Sequence, residues 1–385
     1  MTLTFITNLI IHHQVPVADE FYQLLGKDYT FVATQAVPDS FIKNGYPDLS
    51  DKPYLLKAYE SRENYEKAME LAEKSDVVVF GISPLELIVK RLKQNKLTFI
   101  YSERLFKDGY YHLLSPRVWL NLYNHHIKYR NKNVYMLCSS AYTAFDVSLV
   151  GAYPDKCLKW AYFTKIEELD IEYLLKLKSD KDIQMLWVAR FLNWKHPEMP
   201  VKLARRLKDK GYKFIIRMAG SGEFFQKTKN LIEKLNVGDC VSLIGNMPND
   251  EILALMQNSH IFIFTSDRNE GWGAVLNEAM SNGCAVVASN MIGAAPYLIK
   301  QGENGYIFKS GDVKDLTSKV EDLINNPIRR NDFSRKAYQT LKDEWSPINA
   351  AHRFLLFSDS LIKGISLVIT EGPCSKAEVN SSFKV

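Results

Sequence analysis

Two carboxylates eight residues apart, Glu270 and Glu278, are the side chains of this sequence best placed to do chemistry. They lie within residues 261–289. An apolar run, IFIFT, leads into the turn Ser266-Asp267-Arg268-Asn269-Glu270-Gly271. A helix is expected over 273–281, with Gly283 as its stop, and a second apolar run, AVVAS, follows. Together these make a βαβ unit, and such sheets bind ligands beyond the carboxyl ends of their strands. Glu270 is expected at one of those ends. The helix behind it offers unpaired backbone N–H groups and the positive end of its dipole, a seat for phosphate. Glu278 falls inside a largely apolar helix, where a lone carboxylate is costly to bury and must find donors. Sugar hydroxyls would serve. The same spacing also fits a purely structural pair, with Glu270 capping the helix and Glu278 joined to a neighbouring base.

A second group stands earlier. A strand over 185–189 ends at Arg190, and Lys195 follows within ARFLNWKHPEMP. Two cations just past a strand end suit a diphosphate, because arginine grips it with a fork and lysine acts as a point charge. A solvated basic loop would read the same way. Gly220-Ser221-Gly222-Glu223 lies between a later strand and helix. A lone GxG of this kind chiefly marks a tight turn.

The elements that position these residues form two series. Runs at 3–11, 31–33, 77–80, 98–101 and 134–138 read as strands of a first domain, with amphipathic stretches at 64–74 and 85–94. Runs at 184–188, 214–219, 241–244, 260–265 and 285–289 read as strands of a second. Between the first two of these, Val201, Leu203, Ala204 and Leu207 share one helical face and Gly211 ends it. Strands alternating with helices imply parallel sheets with right-handed crossovers, here in two Rossmann-like domains. The charged stretch 165–182 is placed as the linker. The tail beyond residue 365 loses periodicity, carries Gly372-Pro373 and is expected to be loose.

A chain of 385 residues, 46% hydrophobic and 24% charged, is long enough for two cores and is not of disordered composition. A net charge of +5 does not call for nucleic acid. The five cysteines, at 138, 157, 240, 284 and 374, form no CxxC pair, which favours reduced thiols over disulfides or zinc. The apolar residues 1–11 have no basic flank or cleavage site and read as a strand, and no run approaches the length of a membrane span.

The segments ARFLNWK, MAGSGE, SLIG, EGWGAVLNEAMSNGCAVVAS and ENGYIF occur in an order and spacing that resembles the family 4 retaining glycosyltransferases of GT-B fold. The resemblance covers 182–308, and the spacing of Glu270 and Glu278 is that family's signature pair. It implies two Rossmann-like domains facing across a cleft: an acceptor-side domain over 1–165 and a donor domain over 166–345. A helix over 346–365 would cross back to the first domain, and 366–385 would form the loose tail. It further implies that Arg190 and Lys195 neutralise the donor diphosphate, that Glu270 binds hydroxyls of the transferred sugar, and that Glu278 binds the ribose. The amides near Gly273, Ala274 and Val275 would contact sugar and phosphate, and Gly220 and Gly222 would lie close to the donor. No metal or other cofactor is implied.

The first domain departs from the family. Ile11-His12-His13-Gln14 replaces a Gly-rich loop, and Tyr101-Ser102-Glu103 stands where many members carry a histidine. His12, His13 and Glu103 are the acceptor-side candidates. HH, YSERLFK and YPDKCLKWAYF look like the subset that builds bacterial surface polysaccharides. Residues 87–132 hold ten Lys or Arg, eight aromatics and three histidines against two acids, Glu103 and Asp108. That run suggests affinity for an anionic partner, either a lipid-diphosphate acceptor or a membrane surface, although a solvated basic helix with core aromatics would read the same way residue by residue; no motif supports nucleic acid. The expected activity is retaining hexosyl transfer from a nucleoside diphosphate sugar to a saccharide or lipid-linked saccharide in the cytoplasm. A nucleotide-sugar epimerase and a sugar-binding protein are the rivals. A dehydrogenase is disfavoured because no GxGxxG follows the first strand.

Overall fold

The computed structural model describes residues 1–38, 49–178 and 182–380. It divides into two compact units, the first comprising Met1–Lys165 with the chain from Glu344, the second Ile166–Asp343.

The sheet of the first unit has the order β3-β2-β1-β4-β5-β6-β7. Its strands are β1 Leu3–Thr7, β2 Tyr29–Ala33, β3 Leu55–Lys57, β4 Val77–Phe80, β5 Thr98–Ser102, β6 Val134–Cys138 and β7 Cys157–Lys159. Every pairing is parallel. Continuous apolar runs such as Val77–Phe80, buried along their whole length, are what a sheet covered on both faces requires. Helix Pro347–Lys363 lies on one face. Its Phe354 ring packs 4.8 Å from Phe99 and 5.5 Å from Trp160.

The second sheet has the order β10-β9-β8-β11-β12-β13. Its strands are β8 Ile183–Val188, β9 Phe214–Ala219, β10 Val241–Gly245, β11 Ile261–Phe264, β12 Ala285–Ser289 and β13 Tyr306–Phe308, again all parallel. Met185, Trp187, Ile261, Ile263 and Val287 form its core with one face of helix Glu198–Asp209, where Val201, Leu203, Ala204 and Leu207 are buried. Gly211, at φ +80°, turns the chain out of that helix as expected.

Several expectations are corrected. The first strand stops at Thr7, where pairing with β2 ends, and does not run to Ile11. The expected linker contains helix Ile171–Lys178, whose Leu175 is buried; its residues 179–181 lie outside the described residues. The tail is not loose as far as residue 380. Cys374 N donates to Lys159 O (2.9 Å), Lys159 N to Ser375 O (2.8 Å) and Ala377 N to Cys157 O (2.9 Å), with Leu158 and Lys376 bridged antiparallel. This pairing uses backbone groups alone, so it needs no side-chain period. Residues 381–385 lie outside the described residues. The five cysteines are free, and Cys138, Cys240, Cys284 and Cys374 are buried.

Arg91 corrects the reading of the basic run. Its guanidinium is fully buried and donates to Thr98 Oγ1 (3.0 Å) and to the carbonyls of Ala72, Ser75, Asp76 and Leu97. Arg104 is also buried, 3.7 Å from Asp146. These two cations hold the interior together and cannot meet an outside partner.

Candidate functional site

In the second sheet the strand order reverses between β8 and β11, where the connections leave in opposite directions; sheets of this kind bind ligands in the crevice beyond the carboxyl ends at that point. The loops after these two strands carry Arg190 and Lys195 on one side and Glu270 on the other. The fold brings Lys195 and Glu270 together, their side chains forming an ion pair shielded from most solvent. The Lys195 ammonium also sits 4.1 Å from the centroid of the Trp194 ring. Glu270 is therefore no simple helix cap. Arg190 is exposed.

A network that sequence reading missed clamps the two loops. Trp187 Nε1 donates to Thr265 Oγ1 (2.8 Å), which donates onward to the Lys195 carbonyl (2.7 Å). Asp267 N donates to the Trp194 carbonyl (2.9 Å). His196, left-handed at φ +51°, places Nε2 3.3 Å from Asp267 Oδ2 and Nδ1 3.1 Å from Glu198 Oε1. The hydrogen bond to Asp267, then that to Glu198, raises the imidazole pKa to about 9, so it is a cation at neutral pH. The one signal available in sequence was a histidine directly after Lys195 and two residues before an acid.

Gly220 and Gly222 are demanded by close packing. Their φ angles are +126° and +147°. A Cβ at Gly220 would lie 2.0 Å from the Ala189 carbonyl oxygen, and one at Gly222 2.6 Å from that of Phe191. Phe191 N donates to Ser221 O (2.8 Å), so the GSG turn seats itself against the backbone carrying Arg190.

The helix after Glu270 spans Val275–Ser281, two residues shorter than expected at its start. Gly273 precedes it with φ +95°, and a Cβ there would press within 2.7 Å of the Phe264 ring. Ala274 and Val275 begin the helix. Trp272, buried, donates from Nε1 to Asn277 Oδ1 (2.9 Å) and so pins the loop to the helix. Glu278 is half-buried, and burial raises its carboxyl pKa to about 7. Among the described residues no base pairs with it, so the structural alternative of a buried ion pair does not hold for this residue.

The acceptor-side candidates lie in the first unit. His13 Nδ1 is 3.1 Å from His12 Nε2, and the His13 ring stacks on Tyr162 at 4.8 Å. Burial, with His12 beside it, lowers the His13 pKa to about 3, and burial lowers that of His12. Both imidazoles are neutral. Glu103 accepts from Tyr162 Oη (2.5 Å) and pairs with Lys107.

Residues 175–340 match the family described as glycosyl transferases group 1. Over 165 residues the chain is 27% identical to a putative colanic acid biosynthesis glycosyltransferase, WcaL, of Salmonella typhimurium, covering 42% of this chain and 38% of that protein. The chain spans between 38% and 50% of the length of the first curated relatives it matches. Among solved structures it is similar to a glycosyltransferase from Rickettsia africae, with TM-score 0.66 and 16% identity over 95% of this chain and 99% of that one. It is also similar to Anabaena Alr3699/HepE, solved in complex with UDP, with TM-score 0.66 and 14% identity over 93% and 100%. The chain has the GT-B fold, and over residues 175–340 it is similar to the glycosyl transferases group 1.

Proposed function

We propose that this chain is a glycosyltransferase that moves a hexose from a nucleoside diphosphate sugar to a saccharide or lipid-linked saccharide, retaining anomeric configuration. Surface polysaccharide synthesis on the cytoplasmic side of the cell membrane is the setting. The observation that carries this reading is the Lys195–Glu270 pair at the reversal point of the second sheet. Each charge keeps the place of a ligand group for the other. An arriving donor offers a diphosphate to Lys195 and sugar hydroxyls to Glu270, so both charges exchange one partner for another without being stranded in a dry site.

Departure of the nucleoside diphosphate concentrates negative charge on its terminal phosphate. Lys195, fixed by the Trp187–Thr265 chain, and Arg190 meet that charge. Glu278 takes the ribose hydroxyls. With two cations for the leaving group, the reaction runs without a bound metal, and a chelator leaves turnover unchanged. The relatives support the setting, since WcaL is named for colanic acid biosynthesis, and Alr3699/HepE, whose structure holds UDP, supports the donor class.

The test is turnover of a panel of nucleoside diphosphate hexoses with and without saccharide acceptors. Acceptor-dependent release of nucleoside diphosphate is expected. Release of an epimerised sugar without acceptor, or stabilisation by donors with no turnover, would replace this reading by an epimerase or a binding protein.

A further inference from the structure

The first unit carries an apolar surface far from ordinary solvent-facing composition. Helix Pro116–His125 buries Leu122 on its inner side. Its outer side carries Trp119, Leu120 and Tyr123, which are 42%, 62% and 50% exposed. At about 100° per residue these three share one arc of the helix, with Arg117 at its margin. The turn before the helix adds Tyr111 and Leu114, 63% and 86% exposed. Trp119 Nε1 donates to the Leu113 carbonyl (2.6 Å), which ties the turn to the helix. A contiguous exposed patch of this kind marks an interaction site.

Charge identifies the partner. From Gly109 to Phe145, directly after the exposed Asp108, the sequence contains no Asp or Glu, yet it holds Arg117, Lys128, Arg130 and Lys132. Arg117, Lys128 and Arg130 are exposed. Aromatic and leucine side chains bordered by cations, with no acid among them, match the chemistry of a bilayer whose surface is anionic: rings and leucines enter the headgroup layer while the bases stay at the phosphates.

We propose that this face docks the protein on anionic lipid bilayers, with Tyr111, Leu114, Trp119, Leu120 and Tyr123 inserted and Arg117, Lys128 and Arg130 at the phosphate level. Donor chemistry plays no part in this docking, so the proposal stands or falls apart from the transfer reaction.

The full chain is sedimented with phosphatidylglycerol-containing vesicles and with phosphatidylcholine vesicles, at low and high salt. Binding to the anionic vesicles only, weakening with salt, is expected. Leu114→Ser/Leu120→Ser and Arg117→Glu/Lys128→Glu should each lower that binding by about tenfold or more. All four positions are exposed, and unchanged thermal unfolding confirms folded variants. As a second readout, lipids brominated on their acyl chains should quench tryptophan emission in the wild-type chain and much less in Trp119→Phe. Equal binding by wild type and both double variants overturns the proposal. So does self-association in the absence of vesicles that the leucine variant abolishes, since a second copy would then be what covers this face.

Discussion

The two sheets share a strand order, with a reversal between β1 and β4 in one and between β8 and β11 in the other, but the residues placed beyond those points differ in kind. In the second unit the loops are cross-braced by buried hydrogen bonds and end in an ion pair, Lys195 with Glu270. In the first unit the loop after β1 ends in two neutral imidazoles, one of them stacked on Tyr162. One loop cluster is charged, with Lys195 and Glu270 paired to each other. The other sets aromatic faces and imidazoles beside Glu103, which accepts from Tyr162 and pairs with Lys107. On the proposed reading the charged cluster meets the donor diphosphate and the aromatic one the acceptor.

The sharpest way to break this contrast is to remove the charges. Lys195→Ala and Arg190→Ala should each lower kcat/KM at least about 100-fold, roughly 3 kcal/mol of transition-state stabilisation. Near-normal turnover in both would mean that the second crevice is not the electrostatic one. The two glutamates sharpen it further. Glu270→Gln should depress kcat and reorder donor sugars, while Glu278→Gln should weaken free nucleoside diphosphate and full donor alike. A lost charged hydrogen bond costs roughly 1.5–3 kcal/mol. Titration of both ligands against both variants measures this, and the reverse pattern would exchange the sugar and ribose assignments.

Acidity supplies a third test. Glu278 has its carboxyl pKa raised from 4.5 to about 7 by burial, so its contribution to stability is full below pH 4.5 and is lost as pH rises through about 7. His196 is raised from 6.5 to about 9, so its contribution is full below pH 6.5 and is lost as pH rises through about 9. Unfolding in denaturant should show two successive losses, each at most roughly 3 kcal/mol. Glu278→Gln should abolish the lower one, and His196→Gln the upper. Nucleoside diphosphate affinity should rise with pH through about 7 in the wild type only, because the ribose prefers the ionised carboxylate. The smallest effect belongs to the first unit. With its pKa near 3, His13 is neutral throughout the working range. His13→Gln should therefore leave the shape of the pH–rate profile between pH 5 and 9 unchanged; an altered limb there would make His13 a titrating participant.

How far the sequence carried this picture depended on the range of the forces involved. The long apolar runs of β4, β6, β9 and β12 declare buried parallel strands, and Glu270, Lys195 and the GSG turn were all visible. β3, β7 and β13, three residues each, were not, because so short a run has no period and is specified by its neighbours in the sheet. His196 was passed over because its partner Asp267 is 71 residues away, and only the fold joins them. Arg91 was misread since a cation on an amphipathic helix ordinarily faces water. Here carbonyls at the ends of neighbouring elements converge on it instead.

The strand pairing of residues 374–377 with β7 has a consequence for biosynthesis. Polypeptides emerge N-terminus first, and domains generally fold in that order. The first unit cannot do so to completion, because helix Pro347–Lys363 and the segment that seals its outer strand are translated only after the whole of Ile166–Asp343. Until then β7 is an open edge, a template for pairing with other chains. The nascent protein therefore passes through a stage in which its later unit is finished and its earlier one is still waiting.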